Sequence, residues 1–447
     1  MVSALIIFST TAPAQELDAP LPVDSATDAE IEPALLPANN WNDPTVEVDH
    51  VEPPLPTAEG SEVFTSPDEE AREVSPMPRR FRYAISVDVR GVYDDNVTLS
   101  RGANRRDDFY IAIAPQVTAG VGDVLERQEN FISLNYAPTG LFFFDNSEFS
   151  TIEQVGRMEG QWRINRVTLG LSQDFQSVQS SNLGVANTTG GFSNQANLDI
   201  GGRRRVIHYS THFTASAPIT GKTSLRAAAH YSITDPEDLI GSETLSGSLG
   251  VDYRLGPKVG AGLHFTGGKY FVDDPSPDQT FQQINVLADY ELTGKLSATG
   301  SAGIEFRQSD IGNNAHVSPV FAFGIGYAPF DGTQIDVSAT RRTLNSATAA
   351  GQDFTSTQLV VTARQRFLQR IYATLSAGYQ EQSYFSTISG VRTNREDNYY
   401  FIAPGFDVRL TSFWFAGAFY THRANDSSVD FFSFDTNQYG VRTTFRF

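Results

Sequence analysis

The last nine residues of the chain, Tyr439–Phe447 (YGVRTTFRF), decide its fold. The odd positions carry Tyr, Val, Thr, Phe and Phe, whereas two of the even positions carry Arg442 and Arg446. Successive side chains of a β-strand point to opposite faces. The segment therefore predicts a strand with one apolar face and one face whose guanidinium groups need water or acidic partners.

A C-terminal strand of this kind, closed by an aromatic residue, resembles the assembly signal of bacterial outer-membrane β-barrels. The resemblance is carried by Tyr439, Val441, Phe445 and Phe447. It implies an all-β, transmembrane antiparallel β-barrel in the cell outer membrane of a Gram-negative bacterium. The partners it implies are the barrel-assembly machinery, outer-membrane lipid and lipopolysaccharide.

The composition is compatible with such a barrel. The chain has 447 residues, no cysteine and a mean hydropathy of −0.27. No apolar run reaches the roughly 18 residues that a transmembrane helix needs. A membrane barrel needs no such run, because only every second residue of a strand faces lipid. The lack of cysteine excludes disulfides, zinc–thiolate sites and thiol nucleophiles.

The N-terminal part differs from the rest of the chain. Residues 1–14 contain a short apolar run and end in Ala12-Pro13-Ala14, which predicts a signal peptide cut after Ala14. Residues 15–78 are rich in proline and hold 16 acidic residues against one basic residue, Arg72. Such a composition buries too little apolar surface to offset chain entropy, so we expect a disordered acidic periplasmic segment. It serves either as a spacer or as an arm that contacts a partner.

Residues 79–447 follow a rhythm of strand, short turn, strand and long loop. Turn signals occur at Gly122-Asp123, Asn165-Arg166, Thr220–Lys222, Gly256–Lys258, Thr293–Lys295, Asp331-Gly332, Leu368-Gln369 and Thr411-Ser412. Short turns at one end and long polar loops at the other are typical of outer-membrane barrels. A β-propeller blade has a similar period but holds four short strands, whereas each repeat here holds two long ones.

Alternation within the strands predicts two distinct faces. In 245–255, for example, leucine, valine and tyrosine alternate with serine, aspartate and arginine. A soluble β-sandwich has the same period, so the positions of the aromatic residues along the strands are needed to distinguish it from a membrane barrel. Those expected at the bilayer boundary are Phe81, Tyr83, Tyr253, Phe265, Tyr290, Phe306, Tyr379 and Phe447. The prolines inside strands, which we expect to mark β-bulges, are Pro115, Pro138, Pro319 and Pro404.

Counting these segments gives about eighteen strands, the sixth of them at 196–216. An even number places both chain termini on the periplasmic side, and eighteen strands leave a lumen wide enough for water. Residues 179–195 form either a long outer loop or a further pair of strands.

The first hairpin carries a second resemblance. Val89–Val97, with Asp107–Tyr110 and Ile113–Val117, resembles the opening of an outer-membrane β-barrel porin family associated with exopolysaccharide synthesis and export. The resemblance implies a role beside periplasmic polysaccharide-export components. Its loop motif, Tyr93, Asp94, Asp95 and Asn96, predicts Asx-type hydrogen bonds that cap the first loop, with calcium or sugar binding as the alternative.

No motif predicts an enzyme, a metal site or a cofactor. His208 and His212 share a strand face but lie about 13 Å apart, too far for one metal ion. His230 and His264 are expected to be solvated lumen residues. Arg203-Arg204-Arg205 is expected within a strand, where lipopolysaccharide phosphate is a better partner than nucleic acid.

The face opposite the apolar one is expected to line the lumen, and arginines outnumber acids on it. The lumen candidates are Arg82, Arg90, Arg226, Arg254, Arg307, Arg342, Arg364, Arg366, Arg409, Arg442 and Arg446. Their field would favour anions, unless neighbouring carboxylates pair with them. Together with the resemblance of the first hairpin, this field predicts a channel that assists export of an anionic exopolysaccharide. The alternatives are a general diffusion porin and a plugged structural or adhesive barrel.

Overall fold

A computed structural model of the chain describes residues 81–122, 124, 130–179, 199, 201–293, 295–311, 315–388, 391 and 393–447. The predicted signal peptide (1–14), the acidic segment (15–78) and residues 180–195 lie outside these ranges. Within them, no helix is long and apolar enough to cross a membrane.

Eighteen strands make up the sheet, and they occur at the places that the alternation predicts. Their bounds are β1 Phe81–Asp94, β2 Asp108–Gly122, β3 Phe131–Phe143, β4 Thr151–Ile164, β5 Val167–Gln179, β6 Arg205–Pro218, β7 Thr223–Pro236, β8 Ser242–Gly256, β9 Val259–Val272, β10 Gln279–Thr293, β11 Leu296–Ser309, β12 Ala315–Tyr327, β13 Thr333–Asn345, β14 Asp353–Phe367, β15 Ile371–Phe385, β16 Glu396–Arg409, β17 Trp414–Ser427 and β18 Phe434–Arg446. Among the described residues, short 3-10 helices lie at Gly102–Asn104, Ser147–Phe149 and Asp430–Phe432.

The sheet closes into an antiparallel barrel. Each strand pairs with the next along the chain, and β1 also pairs with β18. In that closing pair Arg90 stands opposite Arg442, and Tyr93 stands opposite Tyr439. Closure gives every strand a paired neighbour on each side. The predicted fold class is therefore confirmed.

The two ends of the barrel differ in the length of their connections. At the short-turn end, β4 and β5 are joined by 165–166, and β14 and β15 by 368–370. Asn165, Leu368 and Gln369 adopt positive φ angles of 57°, 50° and 60°, which match the twist of a tight hairpin. The other end, which we call the long-loop end, carries connections such as 95–107 and 386–395. Strand β1 begins and β18 ends at the short-turn end.

The sixth strand begins later than the sequence predicts. It starts at Arg205 rather than at residue 196, and residues 201–204 precede it as a turn. Arg203 and Arg204 are therefore not strand residues. The cause is a contact distant in sequence, because the Arg203 side chain is bound by groups on other strands, as described below.

The strand prolines do not mark bulges, contrary to expectation. Across Pro115 and Pro138, the pairs Ile113–Gly140 and Val117–Tyr136 keep one register. The register shifts of the β10–β11 and β8–β9 pairs lie near the short turns, at Glu291/Thr293 and Arg254/Gly256. Each proline lacks an N–H, so it interrupts the backbone hydrogen bonds to the strand on one side. The strand on its other side remains paired in register.

Candidate functional site in the barrel lumen

The wall has an apolar outer face and a polar inner face. On β8 the outward Leu245, Leu249 and Leu255 are 53%, 68% and 59% exposed, whereas Ser246 and Asp252 on the other face are buried. A soluble sandwich would bury the leucines instead. The observed distribution is the one required of a barrel whose outside contacts hydrocarbon.

The eight aromatic residues expected at the bilayer boundary all point outward and are exposed. Phe81 and Tyr83 begin β1, and Tyr253 and Tyr290 lie near the short-turn ends of β8 and β10. Phe265 and Tyr379 instead lie near the middle of their strands, so they do not belong to a girdle. The alternation predicts the correct face for these aromatic side chains, but it does not predict their position along the barrel axis.

Two inner-wall arginines next to the closing seam, Arg90 and Arg442, have acidic partners. Arg90 forms an ion pair with Asp88 on its own strand, and both are buried. Arg442 of β18 donates two hydrogen bonds to Asp407 of β16, one of them from Nε at 2.7 Å. Arginines that are paired with carboxylates in this way produce a weaker positive field in the lumen than the sequence alone implies.

Two further arginines are held by carboxylates on the inner wall. Nε of Arg226 lies 3.4 Å from Asp252. Nε of Arg307 donates to Glu305 at 3.0 Å, and its Nη1 lies 3.6 Å from Asp353. Arg307 is only 1% exposed. These pairs support the alternative in which arginines and carboxylates brace the wall together.

The remaining lumen candidates have other surroundings. Arg446 lies with its guanidinium carbon 5.1 Å from the centre of the Phe415 ring. Arg366 and Arg409 line a cavity at the short-turn end. The others lie on the inward side of their strands by strand alternation; they are Arg82, Arg254, Arg342 and Arg364.

The first-loop motif ties the first strand to the last. Asp94 is fully buried and accepts hydrogen bonds from Thr436 Oγ1 at 2.7 Å and Gln438 Nε2 at 2.8 Å. It also accepts one from the backbone N–H of Asn96 at 2.9 Å, which is an Asx turn. Asn96 Nδ2 donates to the carbonyl of Asp435 at 2.7 Å.

The neighbouring residues of the motif add to this connection. Asp95 accepts from Asn437 N–H at 2.7 Å and pairs with Arg105 at 2.7 Å. Tyr93 points outward, and its hydroxyl donates to Asp107 at 3.0 Å. The carboxylates of the motif thus have protein donors, and what the geometry provides is a fastening of the barrel seam.

Arg203 is an inner residue, not the outer-surface residue that the sequence suggested. Its side chain is 1% exposed, and Nη2 lies 3.4 Å from Asp94. Nε donates to the carbonyl of Val97, and the Phe143 ring centre lies 4.9 Å from the guanidinium. Burial lowers the pKa of Arg203, and the Asp94 carboxylate opposes that change. Lipopolysaccharide cannot reach a side chain in this position.

At the long-loop end, strands β13, β14 and β15 leave the barrel wall and lie on its lumen side. Strands β12 and β13 pair only from Phe321–Arg341 down to Tyr327–Ile335. Above that point, Asp353–Ser356 of β14 is buried at four successive positions. A strand buried on both faces is covered by protein on both sides. We call residues 342–356, which form the long-loop end of the β13–β14 hairpin, the inner tip.

The inner tip packs with its wall-facing side against the lumen side of β10 and β11. Gln279 of β10 donates to Asp353 at 2.9 Å, and Arg307 of β11 donates to the carbonyl of Thr343 at 2.9 Å. His316 of β12 stacks on Phe385 of β15, with ring centres 3.6 Å apart. β12 and β15 are separated by two strands in the sheet order, so this contact requires the intervening hairpin to be displaced inward.

A set of contacts crosses the lumen at the long-loop end. Asp199, which precedes β6, accepts hydrogen bonds from Ser346 Oγ at 2.8 Å and Tyr384 Oη at 2.9 Å. Tyr384 belongs to β15, nine strands from β6 in an eighteen-strand sheet, on the opposite side of the barrel. The guanidinium carbon of Arg395 lies 4.6 Å from the ring centre of Tyr384 and 3.3 Å from that of Phe432. We call Asp199, Ser346, Tyr384, Arg395 and Phe432 the mouth cluster.

One histidine departs from the sequence prediction, and two others form a contact that the sequence does not predict. His212 of β6 stands opposite His230 of β7, and their ring centres lie 5.8 Å apart. His264 is 1% exposed and lies 2.9 Å from Asp252, so it is not a solvated pore residue. Among the described residues, no group of three or more His, Cys, Asp or Glu side chains could hold a metal ion.

Comparison with known proteins gives structural likenesses only. The vanillate complex of OpdK from Pseudomonas aeruginosa has 10% identity and a TM-score of 0.41, with 82% of this chain and 98% of that chain covered. OccAB3 from Acinetobacter baumannii has 9% identity and a TM-score of 0.42, with 82% and 99% covered. The FrpB iron transporter from Neisseria meningitidis has 10% identity and a TM-score of 0.42, with 78% and 62% covered.

No protein-family model matches the chain, and no curated protein matches it either.

Proposed function

We propose that this protein is an outer-membrane channel that passes small hydrophilic solutes. The support is the closed eighteen-strand barrel with leucines outside and serines, aspartates and arginines inside. A barrel of this size encloses a lumen wide enough for water. An apolar outer face of this extent is stable only against hydrocarbon or another apolar surface.

The mouth cluster is the observation that favours small solutes over a polymer. It links the loop before β6 to β15 on the opposite wall, and the inner tip adds a second protein layer inside β10–β12. A polysaccharide chain would need a continuous opening past both. The exopolysaccharide role implied by the family resemblance therefore ranks below the diffusion-porin alternative.

We place the protein in the cell outer membrane with the short-turn end toward the periplasm. Short turns on the periplasmic side and long loops outside are usual for this class of barrel. Lipid, lipopolysaccharide and the barrel-assembly machinery are the partners that this placement implies. Polysaccharide-export components remain a hypothesis, which a deletion strain assayed for secreted polysaccharide would test.

We assign no reaction to the lumen. Inner-wall carboxylates such as Asp407 and Glu305 are engaged by arginines, in the pairs Arg442–Asp407 and Arg307–Glu305. General acid–base catalysis needs a titratable group poised beside a substrate site, and a braced ion pair is a poor candidate.

The test is solute flux through the purified full chain. In liposome-swelling assays, monosaccharides and amino acids should enter, and entry should fall steeply for oligosaccharides. In planar bilayers the protein should give discrete conductance steps. Equal entry of small and polymeric sugars would overturn the small-solute proposal.

A plugged structural barrel is the second candidate, and the mouth cluster is again the observation that favours it. This candidate predicts a folded barrel that gives no conductance. The unheated protein should migrate faster than the boiled protein on a detergent gel under either proposal. Identical mobility would contradict both.

A further inference from the structure

The outer face of the barrel has a break in its backbone ladder beside β12. Strand β12 pairs with β11 along its whole length. With β13 it pairs only up to Phe321–Arg341, so in the described part of the chain residues 315–320 have no ladder partner on that side. We call residues 315–320 together with Arg341, which lies where the ladder ends, the β12 notch.

A proline specifies the position of the β12 notch. Ala328 N–H donates to the carbonyl of Lys295 at 2.8 Å, so the even-numbered residues of β12 direct their backbone groups to β11. The odd-numbered residues, which include Phe321 and Pro319, direct theirs to β13. Pro319 therefore offers no N–H at the first hydrogen-bonding position above Phe321, and the ladder ends there.

Arg341 presents its side chain on the outer face at the end of this ladder. It stands opposite Phe321, whose ring centre lies 5.5 Å from that of Phe323, an outward residue that is 47% exposed. Residues that stand opposite each other in a ladder share a face of the sheet. Nη1 of Arg341 donates to Thr357 Oγ1 at 2.7 Å, and its Nε has no acceptor among the described residues.

The charge of Arg341 is not compensated in the way that another outer-face cation is. Lys269 lies beside the exposed Leu245, and its Nζ is 3.2 Å from Asp278 and 2.8 Å from Asp310. No carboxylate of the described residues lies within ion-pair distance of Arg341. An ionised side chain on a membrane-facing wall is costly unless it has a partner.

The β12 notch lies at the height of lipid headgroups. Arg341 follows Thr333, the first residue of β13 at the short turn, by eight residues. At about 3.3 Å per residue and a tilt of about 40°, this is roughly 20 Å, near the upper boundary of an apolar band about 25 Å tall. Backbone groups without ladder partners are tolerated there, because headgroups and water reach them.

We propose that the β12 notch binds a phosphate group of lipopolysaccharide in the outer leaflet. The guanidinium of Arg341 donates charge-assisted hydrogen bonds to phosphate oxygens. Val317 N–H points to the same side as the ring nitrogen of Pro319 and supplies a backbone donor, while the Val317 side chain, 53% exposed, offers an apolar contact for an acyl chain. The inference rests on the outer-membrane placement proposed above but not on solute passage.

The experiment adds deep-rough lipopolysaccharide to the purified full chain in a neutral detergent and counts bound molecules by native mass spectrometry. Arg341→Gln should weaken binding by about tenfold, and Arg341→Lys should weaken it less, because it keeps the charge. The matched control is Lys269→Gln, which removes a carboxylate-paired cation of the same face and should change affinity by less than about twofold. Heat-modified gel mobility verifies that each variant is folded.

A fourth variant probes the sign of the local charge. Glu381 of β15 is exposed and stands opposite Thr357, two strands from Arg341 on the outer face. Glu381→Gln removes a negative charge near the phosphate and should tighten binding. Weaker binding by this variant would contradict a phosphate at the notch.

Two further measurements on the unaltered protein identify the ligand. Lipopolysaccharide whose lipid A phosphates have been removed enzymatically should bind about tenfold more weakly. Inorganic phosphate alone should show no binding that depends on Arg341, since the lipid also contributes its apolar contact. Saturable, Arg341-dependent binding of inorganic phosphate would overturn the lipid assignment in favour of a free anion.

The proposal as a whole is overturned by either of two results. One is equal lipopolysaccharide binding by the unaltered protein and Arg341→Gln, and the other is equal binding of the phosphorylated and dephosphorylated lipid. Solute flux measured on the same preparations separates this failure from that of the proposed function. Flux that persists without phosphate-dependent lipid binding would remove the β12 notch as a site and leave the channel.

Discussion

Asp94 joins the first strand, the last strand and the loop before β6 through a single carboxylate. Its neutral side-chain donors come from β18, and its charged partner is Arg203, which is 109 positions away in sequence. A buried carboxylate without such donors would be strongly destabilising. We infer that this group holds the barrel closed at the long-loop end.

Replacing Arg203 with methionine should therefore destabilise the folded barrel. The loss leaves Asp94 buried without its cation, which typically costs about 3–5 kcal/mol. The temperature at which the compact gel band converts to the unfolded band should fall clearly. Arg101→Met is the matched control, because Arg101 pairs with Asp426 on the exposed surface of the long-loop end. Equal conversion temperatures for the two variants would contradict this role of Arg203.

The Arg442–Asp407 pair predicts how charge on the wall affects ion selectivity. Arg442→Gln should shift the reversal potential toward cations, and Asp407→Asn should shift it toward anions, each by roughly a factor of two in permeability ratio. The double variant should return to the value of the unaltered protein, because the pair carries no net charge. If Arg442→Gln alone leaves the reversal potential unchanged, the pair does not contribute to the field along the conduction path.

The β13–β14 hairpin shows how one element changes the barrel. Its lower part pairs regularly with β12, whereas its upper part loses that ladder and packs on β10 and β11. The exchange replaces backbone hydrogen bonds to β12 with side-chain bonds from Gln279 and Arg307. The result is an inner tip that reaches the mouth cluster.

A cysteine pair tests whether the inner tip meets the loop before β6. The chain has no cysteine, so Asp199→Cys/Ser346→Cys introduces the only two thiols. The native Oδ1 and Oγ atoms lie 2.8 Å apart, and the two thiols should form a disulfide under mild oxidation. Peptide mapping detects it.

The matched control for this pair is Asn146→Cys/Ser346→Cys. Asn146 lies between β3 and β4 and is hydrogen-bonded to Asp108, so it should not cross-link with the inner tip. Failure of the Asp199 pair to react, or equal reaction of both pairs, would contradict the described crossing.

At the scale of the whole molecule, β8 presents Leu245, Leu249 and Leu255 on the outer face of the barrel, at different distances from the short turn. The cost of an arginine on such a face depends on its depth in the bilayer. Leu249 is near the middle of the strand, and Leu255 is next to the short turn on the same face.

Leu249→Arg should lower the free energy of unfolding in lipid by about 2–4 kcal/mol, and Leu255→Arg by about 0–1 kcal/mol. Denaturant titration of the barrel in liposomes, followed by gel mobility, measures both values. Equal costs for the two variants would contradict a bilayer around the middle of the barrel.

Much of the fold is readable from the sequence because its signals are local. Alternation over ten to fifteen residues identifies a strand, and residues such as Asn165 or Gly332 mark the turn that follows it. The start of β6 was missed because Arg203 is fixed by Asp94, a partner that no local pattern reveals. The His212–His230 contact was missed because it depends on the register between two strands.

The sequence by itself therefore determined the number of strands, the polarity of the two faces and the closed barrel, since each follows from a period of two and from turn chemistry. Only the tertiary structure decided which arginines are paired, where the inner tip lies and how the mouth is crossed. Those features depend on distances between residues that are far apart in the chain, and closure of the sheet sets those distances.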